Sequence, residues 1–152
     1  MITVHIDKEC AAPVDHAFRY VADYRHTVRY LYGLSKFEPV TELDRGLGAT
    51  FDGKLRLGPV AMSSRMKIVD WAEPAVLRWK SIRGVDTCFT FRFSALEQRR
   101  SRVELSIETN LFGLAGSAMA KAIAPLVDSA AEQTGTKLAE QIAAYYTAQQ
   151  NA

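Results

Sequence analysis

The period of the hydrophobic pattern changes along this chain, and that change restricts the available folds more than any single motif does. From Leu34 to Asn110 apolar residues recur at every second position, in runs separated by turn residues, as half-buried strands require. Beyond that stretch the period reverts to about 3.6 in an alanine-rich segment that favours helix. A curved antiparallel meander must cover its dry face, and the terminal helix is the only amphipathic element long enough to do so. The expected class is therefore α+β.

The first residues set the same pattern. Ile2, Val4 and Ile6 alternate with Thr3, His5 and Asp7 in a strand that ends near Cys10. Pro13 suits the first turn of a helix, because its missing N–H has no helical partner there, and Val14, Phe18 and Val21 repeat at helical spacing to about Asp23. A second short helix is expected from Thr27 to Tyr32, stopped by Gly33. In the meander, Phe51, Leu55 and Leu57 share a face with Gly53. Met62, Ser64, Met66 and Ile68 alternate with Ser63, Arg65 and Lys67, and Phe89, Phe91 and Phe93 put three rings on one side. The last helix is expected from Ser117 to Tyr146, with Met119, Ile123, Leu126, Val127, Ala130, Thr134, Leu138, Ile142 and Tyr145 on its stripe, a bend at Pro125 and a weak point at Gly135. Leu111–Gly116 reads as an apolar loop in which Phe112 and Leu114 gate a pocket or touch a membrane.

Other function classes find little support. The 152 residues fit one domain over 1–152, and no apolar run approaches the roughly 18 residues of a membrane span. The alternating start is unlike a secretory signal, so a cytoplasmic location is expected. A net charge of +2 selects neither nucleic acid nor an anionic membrane, and the Arg99, Arg100 and Arg102 cluster is diluted by Glu97 and Glu104. Cys10 and Cys88, the two cysteines, read as reduced and structural. The three histidines, His5, His16 and His26, lack the mutual spacing of metal ligands and read as surface residues, with His26 a polar rim to any cavity. No metal or cofactor is expected.

Several local patterns carry a resemblance. Ala12-Pro13-Val14-Asp15 is followed by Phe18 and Val21-Ala22-Asp23, Gly46-Leu47-Gly48 precedes a strand, Trp71-Ala72-Glu73-Pro74 leads to Leu77 and Trp79, and Arg102-Val103 opens the last strand. In this order they resemble the polyketide cyclase/dehydrase and lipid-transport family of the START/Bet v 1-like (SRPBCC) superfamily, over nearly the whole chain. Tyr30 stands where many members carry tryptophan. The resemblance implies a helix-grip fold, a curved sheet wrapped around the C-terminal helix with two short helices after the first strand. It also implies a cavity for a lipid, polyketide, quinone or similar apolar molecule.

Residues on the inward faces are the candidate ligand contacts. The strands offer Phe51, Leu55, Met62, Ser64, Met66, Trp79, Ser81, Phe89, Phe91 and Leu105; the helices offer Tyr30, Met119, Ile123 and Val127. Inward polar atoms are few, chiefly Ser64, Ser81 and the Trp79 indole N–H, with no carboxylate or imidazole for acid–base work. Arg65 would join them only if its strand were bulged there. The reading is thus a binder or carrier of a small hydrophobic or amphipathic ligand, monomeric or homodimeric, in transient contact with membranes at most. A polyketide aromatase/cyclase-type enzyme is the alternative, and a ribosome-directed or toxin-like interaction module comes third.

Overall fold

The computed structural model describes residues 2–151, apart from the side chains of residues 111–117, 119 and 120. Strand β1 (Ile2–Cys10) is followed by helix α1 (Val14–Ala22), a 3-10 turn (Tyr24–His26) and α2 (Thr27–Tyr30). Six strands then run in succession: β2 (Leu34–Pro39), β3 (Thr50–Leu57), β4 (Val60–Ala72), β5 (Val76–Gly84), β6 (Thr87–Glu97) and β7 (Arg100–Thr109). Helix α3 (Leu111–Gln150) completes the chain. All seven strands form one antiparallel sheet in the order β1-β7-β6-β5-β4-β3-β2, curled around α3 in a helix-grip architecture.

The two-residue period places one face of this sheet inside. Ile6, Phe51, Ile68, Leu77, Phe91 and Leu105 are buried there, while their sequence neighbours Lys67, Arg92 and Asp7 are exposed. Helix α1 lays Phe18 across this face, edge-on to Trp71 at 5.1 Å and to Phe93 at 5.2 Å. From α3, Thr134, Leu138 and Ile142 are buried. Gly135 lets α3 come close to β1, since a Cβ added there would lie 2.8 Å from Lys8 Cε and 3.0 Å from Ile6 Cγ2. The glycine expected to weaken the helix is a point of close approach to the sheet.

Four local expectations change. Leu111–Gly116 is the first part of α3, not a loop, because leucine, phenylalanine and alanine sustain a helix past two glycines. The side chains of the proposed gate, Phe112 and Leu114, lie outside the described residues. Helix α2 ends at Tyr30 because Leu34 is already paired with Leu55 and the chain must extend to reach it. Leu126 leaves the buried stripe and is 37% exposed. His16 and His26 are mostly buried: His16 sits 4.8 Å from the Tyr146 ring, and His26 stacks on Tyr20 at 4.2 Å with Nδ1 2.7 Å from the Tyr20 carbonyl oxygen. Aromatic neighbours from α1 and α3, invisible in local sequence, cover both.

The two cysteines differ in environment. Cys10 is 2% exposed, and burial pushes its thiol up to about 11; Cys88 is only half-buried, on the outer face. Iodoacetamide at pH 8 is therefore expected to label Cys88 and spare Cys10 in the folded protein, since the thiolate is the reactive form. Mass spectrometry of the labelled peptides checks this, and equal labelling would contradict the packing described for Cys10.

Candidate functional site

Sheet and helix do not stay in contact along their whole length. They meet around Gly135, near Ile6 and Lys8, and separate toward Val127, leaving a cavity of about 140 Å³. Each strand passes from solid core to hollow along its inward face. On β1, Ile6 is packed whereas Val4 and Ile2 line the cavity; on β6, Phe91 is packed and Phe89 and Thr87 line it; on β7, Leu105 gives way to Ile107 and Thr109. On β3 and β4, Phe51 and Ile68 belong to the core, and Gly53, Leu55, Met62, Ser64 and Met66 belong to the wall.

Of the sequence candidates, Leu55, Met62, Ser64, Met66, Trp79, Phe89 and Val127 come together around this space. Six others do not line it. Phe51 stacks on Phe37 at 4.8 Å and on Tyr24 at 5.6 Å, and Phe91 and Leu105 are wholly buried in the main core. Ile123 is buried against Leu57, closing the helix side of the hollow end. The Ser81 hydroxyl accepts a hydrogen bond from the Thr87 backbone N–H at 2.9 Å, which occupies it in the β5–β6 turn. Tyr30 is 1% exposed among Tyr20 and Phe91, and burial pushes its phenol upward. The neighbouring Thr27 hydroxyl partly offsets that push, although neither hydroxyl reaches hydrogen-bond geometry with a partner. The Met119 side chain lies outside the described residues.

The bulge that would have turned Arg65 inward is on the other strand. Arg65 pairs with Arg83 and Met66 with Ser81, so Ile82 of β5 is the extra residue. Arg65 remains on the outer face, where Nε and Nη2 donate to the Asp52 carboxylate at 2.8 and 3.1 Å. These hydrogen bonds hold the Asp52 carboxyl below the usual carboxylate range.

Sequence reasoning missed the polar end of the cavity. Thr87 and Thr109 face each other across β6 and β7 with hydroxyl oxygens 2.9 Å apart, and both line the space. Their positions share parity with Phe89 and Ile107, so extending the alternation by one step would have found them. With Ser64 they supply hydroxyls to a wall that holds no carboxylate, imidazole, ammonium or guanidinium among its described residues. A wall of this kind offers hydroxyl hydrogen bonds and apolar surface to whatever enters it.

The α2–β2 turn forms the side wall. Leu31, Tyr32 and Leu34 line the cavity and also an outer groove between α2 and α3. The Tyr32 backbone N–H donates to Thr134 Oγ1 of α3 at 3.0 Å, and Arg56 N–H donates to the Gly33 carbonyl at 3.0 Å. Gly33 has φ +87°, and an added Cβ would collide with the Arg56 carbonyl oxygen. Gly33→Ala is expected to cost about 1–3 kcal/mol by denaturant unfolding. A neutral result would mean the turn is not held as described.

A family model described as polyketide cyclase / dehydrase and lipid transport matches residues 1–143. Similar solved structures include TTHA0849 from Thermus thermophilus, with a TM-score of 0.74 at 19% identity, covering 94% of this chain and 98% of that one. A START superfamily protein from Mycobacterium smegmatis has a TM-score of 0.67 at 14% identity, covering 92% and 98%. The Zhui aromatase/cyclase from Streptomyces sp. R1128 has a TM-score of 0.65 at 15% identity, covering 93% of both chains. At these identities the likeness is one of fold. No curated protein matches the sequence.

Proposed function

The chain belongs to the polyketide cyclase/dehydrase and lipid-transport family, and on that premise we propose that it binds a small hydrophobic or amphipathic molecule between the sheet and α3. The observation that carries this reading is an apolar cavity lined by the hydroxyl-bearing residues Ser64, Thr87 and Thr109, the two threonine hydroxyls 2.9 Å apart. Its volume of about 140 Å³ suits a single ring or a short branched chain. Pockets that take larger ligands run to about 300–1,000 Å³, so a longer guest requires the wall to move. Burial supplies most of the affinity, at about 25 cal/mol per Å² of apolar surface removed from water, and the hydroxyls fix orientation.

A second reading is a cyclase-type enzyme, which the aromatase/cyclase neighbours favour. In that case the wall folds a reactive chain by proximity, and the threonine hydroxyls orient its carbonyls. Native mass spectrometry tests the first reading. A one-to-one adduct with an apolar compound, lost on denaturation, is the expected result, and bare protein after exposure to single-ring and short-chain compounds would contradict it. Conversion of a poly-β-keto substrate, reduced by Thr87→Val with Thr109→Val, would favour the second.

A further inference from the structure

We propose that the outer face of the sheet, over β3–β6, docks the protein on an anionic lipid bilayer. The net charge of +2 conceals a segregation that only the strand order reveals. On β2–β6 the acids are Glu38, Asp52, Asp70 and Glu97, and each already has a cation: Lys36 at 3.6 Å, Arg65 at 2.8 Å, Arg78 at 3.3 Å and Arg100 at 2.7 Å. Six further cations, Lys54, Arg56, Lys67, Lys80, Arg83 and Arg92, are exposed on β3–β6, and none has an ion-pair partner among the described residues. On the neighbouring strands β1 and β7 the acids are Asp7, Glu9, Glu104 and Glu108; Arg102 pairs with Asp7 at 3.0 Å and Arg100 with Glu9 at 2.6 Å, so this side carries no comparable surplus of cations. Adjacent strands lie about 4.8 Å apart, so the six charges form a comb across four neighbouring strands.

The arrangement distinguishes among anionic partners. The outward positions of these strands carry no aromatic ring on which a base could stack, which disfavours single-stranded nucleic acid. An acidic protein surface would require charges held in fixed complementary positions. Of the six, Arg56 donates to the Gly58 carbonyl at 3.3 Å and the others make no side-chain hydrogen bond among the described residues, and such a comb of unpaired cations matches lipids that rearrange beneath it. The β5 bulge adds an apolar contact: Ile82, the unpaired extra residue beside Arg83, is 57% exposed. Cations surrounding one exposed aliphatic side chain suit the boundary between headgroups and acyl chains.

The proposal is independent of what the cavity holds, so the test uses ligand-free protein. It is sedimented with vesicles of phosphatidylcholine alone, or with about one third phosphatidylserine. The expected result is binding only to the phosphatidylserine vesicles, weakened more than about tenfold when salt is raised from about 0.05 to 0.5 M. Lys54→Glu/Arg56→Glu/Arg83→Glu and Lys67→Glu/Lys80→Glu/Arg92→Glu alter separate parts of the face at exposed positions, and each should weaken binding about a hundredfold or more. Glu104→Gln/Glu108→Gln should not weaken it. Equal binding to both vesicles, no binding to either, or full binding by both triple variants would overturn the proposal. So would capture by duplex nucleic acid or an acidic protein without vesicle binding.

Discussion

Replacing Phe91 with alanine is expected to destabilise the domain by about 3–5 kcal/mol, a large part of the 5–15 kcal/mol typical of a native fold. The ring is wholly buried on β6, between Leu77 and Leu105, with Trp79 at 5.1 Å and Tyr30 at 6.4 Å. It sits where the sheet is packed solid, so removing it opens a void that rigid neighbours cannot fill. Phe89, two residues away on the same face, already borders the hollow and is half-buried. Phe89→Ala should cost less than about half as much. Denaturant unfolding of the two variants compares them directly; equal losses would mean that the solid core and the cavity are not separated where described.

Filling the cavity should have the largest effect on binding. Val127 enters the wall from α3, at the end where the helix stands away from the sheet. Val127→Phe places a phenyl ring in a space of about 140 Å³ and is expected to weaken ligand binding at least about tenfold. Its melting temperature should stay level or rise, because the new side chain occupies a void instead of displacing packed atoms. Calorimetric titration with a single-ring apolar ligand measures the first effect and a thermal scan the second. Unchanged affinity in a folded variant would locate the ligand elsewhere.

Much of this architecture is legible from side-chain parity. The alternation at Met62, Ser64, Met66 and Ile68 identifies the inward face of β4, and the return to a helical period after Gly116 identifies the covering helix, though not its start at Leu111. Parity does not report how far the helix stands from the sheet. Phe91 and Phe89 therefore look alike in sequence, although one is core and the other wall; so do Leu105 and Ile107. The close contact of Gly135 with β1 is likewise a long-range feature with no local signal. The same holds for Tyr30, a candidate contact at the position where many family members carry tryptophan, which packs against Tyr20 and Phe91 outside the cavity wall. The charge on the outer face is hidden in sequence because cations and acids balance along the chain, and only strand order separates them.

The central claim is that the space beside Trp79 admits an apolar guest. Trp71 and Trp79 are the two tryptophans, and Trp71 is partly buried against Phe18, away from the cavity, so Trp71→Phe leaves an indole reporter on the cavity wall. Titrating that variant with toluene or naphthalene while recording tryptophan emission is the most direct test. A saturable change in Trp79 emission, abolished by adding Val127→Phe, is the predicted result; emission that never responds, from a variant that is folded, would contradict the account.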